Sequence, residues 1–325
     1  MQLSDRIGRR MKLQDLHILM TVVQAGSMGK AAQLLNTTQP NVSRSIAELE
    51  HTFGVRLLDR HQQGIEPTQH GRALLDCGVA VFDDLRLGVK SMEFLSDPTA
   101  GEVRIGSNPL LAAHYVSAVI SRLSRRHPRL AFHLTTGYTE TLHRDLSERK
   151  VDLLIARRFG PLADERLGYE FLFDDPLVVA ASAQSPWARR RKIALADLVN
   201  EPWALPPPES MIGAVEMEAF RASGCDYPRM TVVTPSSEVR FSLVATGHFL
   251  TMFPASVLRF STKRPDIKFL PVKMPIAHVP VGIVTLKNRT LSPVAQLFIQ
   301  DAREVAKPLA NGKSRFHARA SSSST

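Results

Sequence analysis

Gln39, Asn41, Ser43 and Arg44 stand within six positions of one another, and their side chains share one chemistry. Amides pair with the exposed edge of adenine, a guanidinium forks onto guanine, and a short hydroxyl serves either base. Such groups act together only when one rigid element presents them. Val42, Ile46, Leu49 and Phe53 recur at helical spacing, so a helix here turns one apolar face inward and leaves these four residues and Glu48 for its other faces. Thr38 is expected to cap that helix, and Pro40 falls in its first turn, where a missing N–H costs nothing. A capped amphipathic helix in any globular domain has the same pattern, so the neighbouring residues must decide.

Ala31 to Leu35 reads as a preceding short helix, and Asn36-Thr37-Thr38 as a tight turn between the two. Gly54 closes the second helix as a C-terminal glycine. Val55 to Arg60, His61-Gln62-Gln63-Gly64 and Ile65 to Thr68 then read as a hairpin. A hairpin directly after a base-reading helix makes a winged helix-turn-helix, with Arg60 placed to touch phosphate or the minor groove.

Met28 to Leu35, Thr38 to Glu50, Phe53 to Arg60 and Pro67 to Gly71 together resemble the N-terminal signature of the LysR-type transcriptional regulators. His51-Thr52 departs from the usual acidic or longer polar residues, on the outer side of the helix. The resemblance implies a sequence-specific regulator that binds double-stranded operator DNA as a dimer or dimer of dimers. It responds to a small-molecule effector, has RNA polymerase as a further partner, and uses no cofactor or metal. Thr38, Gln39, Pro40, Asn41, Ser43, Arg44 and Arg60 are the expected DNA-binding residues.

The charge balance needs care. The chain carries a net charge of +10, which suits a polyanion partner. Yet Lys and Arg match Asp and Glu in number over residues 1–100, so the excess lies mostly outside the reading unit. Arg189-Arg190-Arg191-Lys192 is read as a solvated loop, with a nucleic-acid patch as the other reading. Cys77 and Cys225 lack metal-ligand spacing, and Cys77 is expected to be a buried structural thiol. With no apolar export segment at its start, the chain reads as cytoplasmic.

Gln69 to Leu95 contains no proline, and Ala73, Cys77, Ala80, Val81, Leu85, Val89, Met92 and Leu95 form an apolar stripe at helical spacing. The stripe can pack on the N-terminal helix Leu13–Gln24 of its own chain. The resemblance adds a second chain, making this the linker helix that pairs two subunits. Asp97 to Gly101 is expected to break the helix as a hinge.

From Glu102 onward strands alternate with helices, which argues an open, mostly parallel sheet. Val103–Gly106, Leu130–Thr135, Val151–Ala156, Met230–Thr234 and Pro280–Leu286 are the expected strands, with helices over Leu111–Arg126, Thr139–Arg149, Glu209–Ser223, Ser236–Thr246 and Ser292–Ala306. The fold class is thus a winged helix-turn-helix, a long linker helix and a C-terminal α/β two-lobed effector domain like a type 2 periplasmic binding protein. The boundaries read 1–11 tail, 12–69 winged unit, 70–96 linker, 102–308 effector domain and 309–325 disordered tail. Lobe I is 102–177 with 271–308 and lobe II is 178–270, with crossings near Pro176–Ala181 and Phe269–Val272.

Ligands in such sheets sit at the carboxyl ends of strands, and a serine-capped helix start offers free N–H groups. Ser107, Asn108, Thr136, Arg157, Ser236 and Ser237 are therefore expected to converge on the effector, an organic or aromatic acid, with a sugar as the alternative. Leu205 to Ser210, Val244 to Pro254 and Val281 to Thr290 are similar to a subgroup tied to sugar-uptake or aromatic-acid genes. Two other classes are weighed. A solute-binding protein of a transport system has no use for a winged helix. An enzyme finds little support, since Ser147-Glu148-Arg149-Lys150 lacks the companion motifs of a Ser-x-x-Lys hydrolase and no zinc or phosphate motif occurs.

Overall fold

The computed structural model describes residues 11–61, 64–162, 164–257, 266–274 and 279–310. The tail residues Arg6, Arg9 and Arg10, the hairpin tip Gln62-Gln63 and the expected disordered segment 311–325 lie outside the described residues. The chain divides into two compact units, one through Val89 and one from Lys90.

The first unit holds α1 (Leu13–Ala25), α2 (Met28–Leu34), α3 (Gln39–Phe53), the hairpin strands β1 (Leu58–His61) and β2 (Gly64–Pro67), and most of α4 (Gln69–Ser96). Its core joins Leu19, Val22, Met28, Ala31, Val42, Ile46, Leu49 and Leu57, all buried. Gly26 and Gly54 end α1 and α3 at φ +69°, a conformation that favours glycine. The Glu50 carboxylate accepts hydrogen bonds from the N–H groups of Leu57 (2.8 Å) and Leu58 (3.3 Å), tying α3 to the first strand of the wing. Gly71 is required for a different reason: a Cβ there would stand 2.0 Å from the Leu57 carbonyl oxygen, so only glycine lets α4 start against the wing.

α4 has two dissimilar sides. Gly78 leaves room for Leu16 and Met20 of α1, and His17 lies on Phe82 with ring centroids 5.6 Å apart. Leu85, Val89, Met92 and Leu95 remain exposed. Cys77 is exposed too, contrary to the expected burial, because α1 covers other positions of the helix. The expected hinge after α4 is a short turn, in which the Asp97 carboxylate accepts from the Thr99 N–H at 3.1 Å. Strand β3 (Ala100–Ser107) starts at once.

In the second unit β3 leads through helix α5 (109–126), which includes a π-helical turn at Ala112–Val116, to β4 (Arg129–Thr136), α6 (Thr139–Ser147), β5 (Leu153–Arg157) and β6 (Leu167–Asp174). β7 (Leu177–Ser182), β8 (Ile193–Ala194), β9 (Trp203–Leu205), α7 (Met211–Ala222), β10 (Met230–Val233), α8 (Ser237–Ala245), β11 (Thr251–Pro254), β12 (Ile267–Phe269) and β13 (Val272–Lys273) follow. The chain returns in β14 (Pro280–Leu286) and α9 (Pro293–Ala310). The first sheet runs β4-β3-β5-β14-β6. β3 is parallel to β4 and β5, while β14 is antiparallel to both β5 and β6. The sheet is thus less parallel than alternation suggested, because β14 comes back from the other lobe against the direction in which β6 left. α5 and α9 cover one face through Tyr115, Val119, Leu123 and Phe298, and the Tyr115 hydroxyl donates to the Ala302 carbonyl at 2.5 Å.

The second sheet places β7 between β11 and β12. The Ala204 N–H donates to the Leu250 carbonyl at 2.9 Å and joins β9 to the start of β11. Trp203 packs edge-on against Phe220 in this core. Since β12 pairs with β7 and β13 with β8, the return to lobe I occurs at Val279–Pro280 and not near Phe269–Val272. Glu216 on α7 and Arg240 on α8 are both buried and 3.5 Å apart. Arg240 also donates to the Met252 carbonyl at 3.0 Å and lies over the Phe253 ring. Neither Glu216 oxygen has a hydrogen-bond donor among the described residues, and burial pushes this carboxyl up to about 8.

Candidate functional site

The inward residues of α3 fix its outer face. Val42, Ile46 and Leu49 are buried, whereas Thr38, Gln39, Pro40, Asn41 and Arg44 are exposed and Ser43 is half-buried. Thr38 stands at the expected N-terminal position, but its side chain makes no capping bond. The cause is local: Pro40 has no N–H to offer, and the Asn41 N–H is bonded at 3.1 Å to the Thr38 carbonyl instead. The Asn41 amide donates to Thr37 Oγ1 at 3.3 Å, a second-turn partner that sequence reading missed. Arg60 is exposed on β1 opposite Ile65, whose N–H donates to the Gly26 carbonyl at 3.1 Å and anchors the wing to the end of α1. Among the described residues no carboxylate pairs with Arg44 or Arg60, so both cations stand ready for an anionic partner.

A second polar group lies where β3, β4 and β5 end together. Ser107 is opposite Thr136 on one side and Ile155 on the other. Its hydroxyl is buried and donates to the Ile155 carbonyl at 2.8 Å. Asn108 caps α5 by accepting from the Leu111 N–H at 3.0 Å and also accepts from Arg157 at 3.2 Å. Arg157 pairs with Asp175 at 2.8 Å, and Asp175 in turn accepts from the N–H and the hydroxyl of Ser256, each at 2.7 Å. Thr136 is exposed. On the other lobe Ser236 caps α8 by accepting from the Val239 N–H at 3.3 Å, and Ser237 is half-buried at the first helical position. The charge of Arg240 on the same helix is felt at Arg157.

Residues 13–72 match the bacterial regulatory helix-turn-helix proteins of the lysR family, and residues 96–307 match the LysR substrate binding domain. The chain belongs to the LysR family. An HTH-type transcriptional regulator of Escherichia coli strain K12, YdcI, is 25% identical over 304 residues, 94% of this chain and 99% of its own. Full-length OxyR from Pseudomonas aeruginosa shares the fold with a TM-score of 0.68 at 20% identity, covering 93% of this chain and 98% of that one. Full-length CbnR, solved with its target DNA, aligns with a TM-score of 0.55 at 22% identity over 91% of this chain and all of that one. This LysR protein is therefore a helix-turn-helix transcription regulator with a substrate-binding effector domain.

In this LysR regulator four of the six expected effector residues, Ser107, Asn108, Thr136 and Arg157, share one sheet edge, while no bond links Ser236 or Ser237 to them among the described residues. Arg157 was expected to present a free cation, and Asp175 corrects this: the pair is buried at 6% and 1% side-chain exposure. Asp175 and Ser256 were missed because a lone acid and a lone serine carry no pattern of their own. The Ser147 and Lys150 pair forms no catalytic contact. Lys150 is paired with Glu148 and Asp145, which raises its pKa, and Ser147 faces Asp164. Arg189 to Lys192 are exposed, and Arg190 stacks on Trp187. Among the described residues no helix is long and apolar enough to cross a membrane.

Proposed function

We propose that this LysR regulator reads its operator with Gln39, Asn41, Ser43 and Arg44, with Arg60 on the wing holding the phosphate backbone. The observation that carries this reading is the outer face of α3: polar groups and a cation stand exposed on a helix locked by its buried face and by the Glu50 bonds to the wing. A helix so presented fits the major groove, and two such units fit half-sites a helical turn or a multiple apart. The exposed stripe Leu85, Val89, Met92 and Leu95 on α4 supports pairing of two chains, and pairing of dimers follows for a tetramer. A small metabolite held between the two lobes of the effector domain changes the grip on DNA. The cations Arg157, Arg158 and Arg240 near the lobe junction favour an organic acid over a neutral sugar.

Arg44→Ala and Gln39→Ala test the reading. Each removes a base contact worth about 1–3 kcal/mol of discrimination, so binding to operator falls far more than binding to random DNA. Arg60→Ala lowers affinity for both and reduces the salt slope by about one. Fluorescence anisotropy with both duplexes at several salt concentrations separates the two effects. Equal losses on operator and random DNA for Arg44→Ala would remove α3 as the reader.

A further inference from the structure

The residue after Arg157 differs from it in every respect that matters for binding. Arg158 is exposed, its N–H is fixed to the Pro280 carbonyl at 2.8 Å, and no carboxylate pairs with it among the described residues. Its guanidinium sits 4.6 Å from the centroid of the Tyr169 ring, an arrangement that holds a cation in place without neutralising it. Both residues line a pocket of about 340 Å³ of empty space, open to solvent, between α6, the loop after β5 and the strands β6 and β14. Thr139, His143, Leu162 and Met211 complete its wall. Met211 begins α7 of the second lobe, so an occupant touches both lobes.

Two unpartnered polar groups face this region. The Tyr169 hydroxyl is buried with no hydrogen-bond partner among the described residues, and burial pushes the phenol up to about 12, so it keeps its proton and can donate. Arg157, whose side chain is only 6% exposed and which also lines the pocket, keeps its Nε unpartnered. A buried donor without an acceptor is costly to leave so. His143 is half-buried, and burial lowers its pKa despite Glu140 and Asp164 nearby, so near neutral pH it is an uncharged hydrogen-bonding group. Asp164 is itself paired with Arg166 at 2.8 Å. The polar side of the pocket thus offers one unpaired cation and a phenol, and the opposite side offers Leu162, Pro161, Met211 and Val284.

We propose that this pocket binds a small monocarboxylate with an apolar tail, its carboxylate held by Arg158 and the Tyr169 hydroxyl and its tail against Leu162 and Met211. The assignment rests on the effector reading of this domain and names a chemical class for it. A phosphate, with two charges, would leave one unmatched beside a single free guanidinium, and a sugar would place hydroxyls against the apolar wall. A carboxylate gains a charge-assisted bond, about twice as strong as a neutral one.

Isothermal titration of the full-length chain with sodium butyrate and sodium benzoate, against butyramide and benzamide as neutral counterparts, tests the proposal. Saturable binding of at least one acid is expected, with its amide at least tenfold weaker. Arg158→Gln and Tyr169→Phe, an exposed and a conservative change, should each weaken the acid at least tenfold while operator affinity without acid stays at the wild-type level. Absence of saturable binding by either acid overturns the proposal, as does acid binding that Arg158→Gln leaves unchanged. Operator affinity, measured on the same preparations, reports on the DNA reading separately: its loss in the wild-type chain would refute that reading and leave the pocket result standing.

Discussion

The outer face of α3 and the carboxyl edge of β3, β4 and β5 carry similar side chains in opposite states. On α3 the amides and Arg44 are exposed and lack a carboxylate partner, whereas at the sheet edge Ser107, Asn108 and Arg157 are bonded to Ile155, Leu111 and Asp175. A surface that meets a rigid polyanion can leave its groups to solvent until the partner arrives. A lobe junction cannot, since buried polar groups without partners are costly. The chemistry available to a small ligand is therefore found beside the satisfied network, at Arg158 and Tyr169, and not within it.

The contrast breaks most sharply at Asp175. Asp175→Ala leaves the Arg157 guanidinium buried and unpaired and frees Ser256, which should cost about 3–5 kcal/mol in urea unfolding. Adding Arg157→Met to that variant should recover part of the loss, since the two changes are coupled. A loss below about 1 kcal/mol would show that the network is dispensable and that Arg157 is available to ligands after all.

An intermediate effect is expected on α4. Leu85→Asp or Met92→Asp puts a charge into the exposed stripe, and sedimentation should show a dimer dissociation constant raised at least tenfold, about 1.4 kcal/mol. Operator binding should fall in parallel. Unchanged association would mean that the stripe stays exposed in the assembled protein.

The smallest effect concerns Glu216. Its carboxyl, pushed up to about 8 from 4.5, retains a proton in the folded chain over a range in which the unfolded chain has released it. The folded state then binds more protons, so stability declines as pH rises from 4.5 toward 8 and levels off above that. Glu216→Gln keeps a neutral side chain of the same shape and should flatten this slope, at a cost below about 1 kcal/mol near pH 6. A cost of about 3–5 kcal/mol would mark an ionised pair with Arg240.

The reading unit was legible because its determinants are neighbours in sequence. Pro40, Gly54 and the spacing of Val42, Ile46 and Leu49 report directly on α3, and only the idle side chain of Thr38 escaped, through a proton that Pro40 lacks. The effector domain was legible as alternating elements, and the ends of β3, β4 and β5 correctly gathered Ser107, Asn108, Thr136 and Arg157. Its partnerships were not. Asp175 and Ser256 come from separate segments, and the direction of β14 depends on the chain's return from the second lobe, which alternation of polar and apolar residues does not encode. Tyr169 gains its place from Gly282 on the neighbouring strand, where a Cβ would lie 2.4 Å from the Tyr169 ring.

The placement of β14 and α9 also sets an order in time. The first unit is complete once α4 has been synthesised, but β3 and α5 find their remaining cover only when β14 and α9 emerge, as the bond from Tyr115 to Ala302 illustrates. At roughly 5–20 residues per second, the ribosome needs on the order of ten to thirty-five seconds between the two. For that interval a nascent chain carries a finished helix-turn-helix unit beside a half-built lobe whose apolar face is bare. Chaperone occupancy on translating ribosomes should therefore rise after residue 107 is exposed and fall once residue 310 has left the tunnel.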